Sequence, residues 1–339
     1  MITKIKAKVD EDLAKSRSGG ELSGLRKSYR ELLKRHNALK SELDEAFKLK
    51  RPAQVHKIEQ AHRTGTSEAT AFIVASDWHI EEEVKPETVN HLNHFNLEIA
   101  KSRIDHFFQN SLTLLRIMGR DVKIQDVVLC LLGDFITGSI HEEFLETNQL
   151  RPGEAIWTAQ NHLVSGIKFY LEHTRCNLIV VCKSGNHSRM TPKTRFATES
   201  GNSLEIYMYK NLARIFEGEK RVRFVIDDSY HTYLTVYDKK VRVHHGHAVK
   251  YAGGVGGIYI PMNKAIAQWD KGMKADLSIS GHYHQQRDGG NFISNGSLIG
   301  YNAYAVSIKA EFEPPKQTFF LLDRKRGKTV VAPIILEEV

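Results

Sequence analysis

The sequence is short of cysteine and has no long apolar run. Its three cysteines, Cys130, Cys176 and Cys182, lie in or beside apolar stretches. They read as reduced, mostly buried thiols of a cytoplasmic protein rather than as a disulfide framework. No segment approaches the roughly 18 consecutive apolar residues of a membrane span. The amino terminus, Met1-Ile2-Thr3-Lys4-Ile5-Lys6, is positively charged but lacks the apolar core and small-residue cleavage site of a secretory leader. A cytoplasmic protein with no membrane partner is therefore expected. There is no internal repeat and no low-complexity tract, which argues against a solenoid or a disordered chain. The stretch Tyr251-Ala252-Gly253-Gly254-Val255-Gly256-Gly257 has no G-K-[ST] ending. It is expected to be a rim loop with amides open to an anion, not a site for a nucleoside triphosphate.

Charge is present, and it is uneven. Of the net charge of +8, residues 1–70 supply +6, with sixteen Lys or Arg against ten Asp or Glu. A basic arm on a nearly neutral body is suited to a polyanion, with nucleic acid the first candidate; a solvated helix surface would look the same. Within the arm, Leu22, Leu25, Tyr29, Leu32, His36, Leu39, Leu43 and Ala46 recur at alternating spacings of three and four. That is the heptad period of a helix able to pair with a second copy or to fold back on its own domain. The polar stretch 52–67 reads as a linker. The expected division is a basic helical arm and linker over residues 1–66 and a catalytic domain over 67–339. In that domain, helical patterns occupy roughly 90–119, 154–173 and 203–216, and strands dominate after Arg221.

Five strand-like stretches (71–76, 126–132, 177–184, 240–244 and 276–280) each run into residues with metal-ligand chemistry. These are Asp77 and His79; Gly133-Asp134; Gly185-Asn186-His187; His245-Gly246-His247; and Gly281-His282-Tyr283-His284. In α/β sheets, ligands collect where parallel strands end. Hydrolysis of a phosphate ester needs a nucleophile at neutral pH and neutralisation of the phosphoryl oxygens. Two divalent metals about 4 Å apart supply both. Such a pair takes mixed oxygen and imidazole ligands with at least one bridging carboxylate. A lone D-x-H or G-D is a weak signal and a lone histidine is ordinarily a surface or hydrogen-bonded group; the ordered set of five is neither. His244, His245 and His247 compete for one role, and strand alternation puts His245 and His247 on one side with His244 facing away.

The order D-x-H, G-D, G-N-H, H-G and G-H-x-H resembles the calcineurin-like metallophosphoesterase family, over residues 71 to about 325, including its DNA exonuclease-like branch. The resemblance implies an α/β fold, a four-layer sandwich of two mixed β-sheets flanked by helices, here with an N-terminal helical basic extension. It implies that Asp77, His79 and His284 hold one metal and Asn186, His245 and His282 the other, with Asp134 bridging. His187 would be the general acid, with water activated by the metals as nucleophile. Mn²⁺ is the first choice of metal, Fe or Zn²⁺ the alternatives. Where relatives often carry an acid after G-N-H, this chain has Ser188-Arg189. Arg189, Lys193 and Arg195 form a candidate phosphate track, with His247 and His141 as further candidates for substrate contact. Asn295-Gly296-Ser297, which resembles a segment following the last metal motif in some relatives, is expected to shape the floor of the site. The expected activity is a two-metal phosphodiesterase, a DNA or RNA nuclease. A phosphomonoesterase using the same centre, and a non-catalytic nucleic-acid-binding scaffold, are the alternatives.

Overall fold

The structure, a computed structural model, describes residues 2–15, 19–49, 67–251 and 253–337. It divides into two compact units, Met1–Arg63 and Thr64–Val339. Apart from Ser67, the expected linker lies outside the described residues. No helix among them is long and apolar enough to cross a membrane.

The first unit contains α1 (Ile2–Lys15) and α2 (Gly19–Leu49). Leu, Lys, Arg and Glu dominate α2 and favour the helix intrinsically. Of the expected seam, Leu25, Leu32, Leu39 and Leu43 are exposed, with Leu32 at 65%. The side chain of Ala46 lies outside the described residues.

The second unit is built on two mixed sheets. Its strands are β1 (Ser67–Ala75), β2 (Val122–Leu131), β3 (Asn177–Cys182), β4 (Val222–Ile226), β5 (Thr232–Val236), β6 (Lys239–Val243), β7 (Leu277–Ser280), β8 (Arg287–Asp288), β9 (Phe292–Ser294), β10 (Lys316–Asp323) and β11 (Gly327–Ile335). One sheet has the order β11-β10-β1-β2-β3-β4 and the other β5-β6-β7-β9-β8. Strands β1 to β4 run parallel in sequence, as do β6, β7 and β9, while β10, β11, β5 and β8 pair antiparallel.

Period-two alternation explains the layering. Phe72, Val74, Val128 and Cys130 face Val241, Val243, Leu277 and Ile279 of the other sheet and close the inter-sheet core. The intervening Ala71, Ile73, Ala75, Val127 and Leu129 face the opposite way. They pack against α3 (Leu97–Met118), α5 (Pro152–His173) and α6 (Leu204–Ile215). Outside the second sheet, Met262 and Ile266 of α7 (Tyr259–Trp269) pack on Tyr283 and Phe292. Helices, sheet, sheet and helix make the four layers that the resemblance implied. Two short helices, α4 (Phe144–Thr147) and α8 (Ala303–Ser307), lie beside the strand ends. All three cysteines are free; Cys130 and Cys182 are buried, and Cys176 is half-buried.

One expectation needs correction, and one helix went unread although strands do dominate after Arg221. The helix expected from residue 90 begins at Leu97, because Asn90 and His91 hold left-handed backbone and Asn96 caps the helix by accepting from the Ile99 amide at 2.9 Å. The region after Arg221 also contains α7, which the Gly-rich approach and Pro261 concealed. Pro261 falls in the first turn, where its missing N–H is tolerated.

Candidate metal centre

Because β1, β2 and β3 are parallel, as are β6 and β7, the segments leaving them emerge along one edge of the sandwich. The first two loops are laced together by backbone bonds from the Asp77 amide to the Gly133 carbonyl (3.0 Å) and from the Trp78 amide to the Asp134 carbonyl (2.8 Å). The fit leaves no room for side chains at the glycines. A Cβ on Gly133 would stand 2.0 Å from the Gly185 nitrogen, and one on Gly185 would stand 2.0 Å from Asp134 Oδ1. The glycines ahead of the ligands are thus required by the approach of neighbouring loops.

Two groups of side chains converge: Asp77, His79 and His284, and Asp134, His245 and His282, each with ligand atoms within 4.8 Å of one another. His79, Asp134 and His187 form a third, overlapping group. Asp77, His79, Asp134, His282 and His284 all have positive φ, between 47° and 75°. Left-handed backbone is uncommon away from glycine and concentrates at functional sites.

The chemistry of these atoms calls for a cation. His245 Nδ1 donates to the Leu132 carbonyl at 2.7 Å, which leaves Nε2 to take a proton or a metal ion. That Nε2 lies 2.9 Å from Asp134 Oδ2 and 3.2 Å from Asn186 Oδ1. Three acceptors converge, and only a proton or a metal ion can sit between them. Burial pulls the His245 pKa down, but Asp134 and Asp77 outweigh it and raise it to about 10. Asp134 itself is held well below the usual carboxylate range by His245 and His187 despite its burial. In the other group, Thr137 Oγ1 donates to Glu82 Oε2 at 3.1 Å, so it accepts from His79 Nδ1 at 3.0 Å. The lone pair is thereby placed on His79 Nε2, a buried atom with no hydrogen-bond partner. His284 Nδ1 is likewise buried and unpartnered, and burial lowers the pKa of this ring to about 3. Burial, opposed by His245, pushes the Asp77 carboxyl up to about 7; its oxygens accept from the His282 amide at 3.1 and 2.9 Å. These residues fit bound metal.

His187 stands beside this floor with its ring 4.7 Å from that of His79. Its Nδ1 donates to the Thr137 carbonyl at 2.9 Å and its amide donates to Asp134 Oδ1 at 2.8 Å. Nε2 remains to work in the cleft above. That cleft has a volume of about 690 Å³ and takes in His79, Asp134, Asn186, His187, His282 and His284. Its walls include Glu83, Lys85, Glu143, Glu146 and the rings of Phe144 and Tyr304. His141 lies on this wall.

Arg189 is elsewhere engaged. It donates to the carbonyls of Asn186 (2.7 Å) and Thr191 (3.1 Å) and so staples its own loop. Lys193 and Arg195 are exposed on that loop. The His247 side chain is 3% exposed, with its ring 5.5 Å from that of His245. His244 is buried on the other side, against Trp269 and His231. Asn295 braces the floor from below by donating to Ser76 Oγ, which donates to Asp77.

One residue escaped the sequence reading. Glu205, at the start of α6, accepts from the Phe135 amide (2.7 Å), the Gly185 amide (2.8 Å) and Ser188 Oγ (3.0 Å). Burial, reinforced by Asp134, pushes its carboxyl up to about 8. A carboxylate from a helix thus reaches the residue that follows His187, through Ser188 Oγ. Its only sequence signal was a carboxylate on the apolar face of a helix.

Neither a family model nor a curated protein matches the chain. Solved structures do. An archaeal phosphodiesterase is 16% identical and covers 78% of this chain and 99% of its own, at a TM-score of 0.33. Vacuolar protein sorting 29 from Cryptosporidium parvum is 14% identical over 78% and 96% of the two chains, at 0.30. The zinc complex of the same protein from Entamoeba histolytica is 14% identical over 79% and 99%, at 0.28. Motif order along the chain, two mixed sheets and the placement of every motif at a strand end are the arrangement that the resemblance to calcineurin-like metallophosphoesterases implied.

Proposed function

We propose that the chain is a two-metal phosphodiesterase acting on nucleic acid. The observation that carries the hydrolytic reading is the carboxylate of Asp134 among unpaired imidazole nitrogens, with His187 set beside it and open to the cleft. A metal pair held by Asp77, His79 and His284 and by Asn186, His245 and His282, with Asp134 between them, would neutralise phosphoryl charge and lower the pKa of water. Mn²⁺ is the first choice, with Fe or Zn²⁺ as alternatives.

The protein's own residues do the rest. Leu132 and Thr137 fix the ring orientations of His245 and His79. Thr137 also orients His187 by accepting from Nδ1 and so aims Nε2 at the cleft; burial, opposed by Asp134, lowers the pKa of this ring, and it is the imidazolium form that would donate Nε2–H to the leaving oxygen as general acid. The basic arm favours a polyanion over a small ester. A specific observation favours a second reading, a phosphomonoesterase: Glu143 and Glu146 on the cleft wall repel a chain of phosphates on that side.

Purified protein with Mn²⁺ is to be assayed on single- and double-stranded DNA and RNA, and on bis(p-nitrophenyl) phosphate against p-nitrophenyl phosphate. Cleavage of a strand and preference for the diester are expected. Turnover of the monoester alone would replace the first reading with the second.

A further inference from the structure

Beyond the metals, the loop 189–203 presents an exposed aromatic ring that packing alone does not require. Phe196 is 52% exposed, yet its ring is held in place: it stacks on His247 at 5.4 Å and 13°, and meets Tyr230 edge-on at 5.6 Å. Tyr230 is itself anchored, its hydroxyl accepting from the Ala248 amide at 3.0 Å. His247 joins this stack to the metal floor, its ring 5.5 Å from His245 and 6.3 Å from His282. A flat apolar face therefore stands one ring away from the second ligand group.

The exposed charges of the loop itself have one sign. Lys193 and Arg195 are exposed and make no ion pair among the described residues. Glu199 is turned inward, 3.3 Å from Ser184 Oγ and 3.6 Å from His247 Nε2. Asp228, nearby through its bond from Ser200, is the exposed acid on this side. The loop is also stiffened from within, by Arg189 and by Thr191 Oγ1 donating to the Lys193 carbonyl at 2.8 Å. A rigid π-face flanked by free cations is the arrangement by which proteins hold single strands: bases stack and phosphates pair with Lys and Arg, independently of sequence.

We propose that the loop 189–203 seats a single-stranded nucleic-acid segment, with a base stacked on Phe196 and adjacent phosphates on Lys193 and Arg195. This rests on the nucleic-acid reading above and names where the strand lies. On the cleft wall at Glu143 and Glu146 the one cation, Lys85, lies 3.7 Å from Glu83, so that wall is net acidic and the strand runs over the Phe196 side.

The test uses the full chain in the His187→Asn background, so that the strand is not cut, with Mn²⁺ and a fluorescein-labelled thymidine oligonucleotide read by anisotropy. Phe196→Ala should weaken binding roughly five- to hundred-fold and Phe196→Trp should restore it, because the indole offers a larger stacking face. Lys193→Ala with Arg195→Ala should flatten the slope of log affinity against log salt by about 1.4. Thermal melting confirms that each variant is folded. Binding unaffected by Phe196→Ala, or unrestored by Phe196→Trp in a folded protein, overturns the platform alone. A protein that turns over bis(p-nitrophenyl) phosphate but neither binds nor cuts any strand overturns the platform and the nucleic-acid reading together.

Discussion

The floor of the site and its rim are built by different rules. On the floor, Asp77, His79, Asp134, His245 and His284 are buried, their loops bond to one another, and glycines stand where neighbouring atoms leave 2.0 Å for a Cβ. On the rim, Glu143, Glu146, Lys193 and Arg195 are exposed, and little but their charge selects them. The floor is constrained in its geometry by its neighbours; the side chains of the rim are not, and on the proposed function they are where a substrate would be selected.

The sharpest way to break this contrast is at the shared carboxylate. Asp134→Ala should remove both metals and abolish hydrolysis; elemental analysis showing two bound metals would refute its bridging role. Next in size, His187→Asn should keep the metals and cut kcat by roughly 10²–10⁴-fold, the range of acid catalysis. A variant with wild-type kcat would move the general acid elsewhere. Glu205→Gln preserves shape while exchanging one carboxylate oxygen for a donor that opposes the donors now facing it. Metal affinity should fall by roughly 10- to 100-fold, as for other supporting groups behind a ligand, measured by competition with a chelator. Stripping the metals should lower stability by about 2.7 kcal/mol per site at a hundredfold excess over Kd, read as a lower Tm. Equal melting with and without chelator would mean that the floor is set without metal. The smallest effect is on the arm: deleting residues 1–66 should lower the sedimenting mass if the exposed leucines of α2 pair with a second copy, and leave kcat on bis(p-nitrophenyl) phosphate in place.

The floor was legible in the sequence because each of its candidate ligands follows an apolar strand by one to four residues, so local order carries global position. Asp77, Asp134, Asn186 and His282 could be picked out before any fold was known. The His245 assignment depended on alternation beyond the end of β6, yet the ring does reach Asp134, while His244 turns to Trp269. What was not legible is whatever long-range packing positions. Glu205 lies on a helix that gives no local sign of meeting Gly185 and Phe135, and Tyr304 reaches the cleft from a short helix near the carboxyl end. Arg189 was read as a phosphate ligand from its charge and its place after His187; the bonds it donates to the Asn186 and Thr191 carbonyls were not legible in the sequence. Pro261 concealed α7 because proline ordinarily signals interruption and is neutral only in a first turn.

The ligands come from segments as far apart as Asp77 and His284, and no two neighbouring motifs alone complete either group. A fragment of the chain would therefore carry only part of either group, such as His282 and His284 without Asp77, and each whole group comes together only with the slow, non-local pairing of β1 with β2 and of β6 with β7. Bound metal thus becomes a clock for folding: in a refolding experiment, high-affinity uptake should trail the appearance of helix and coincide with the last closure of the sandwich.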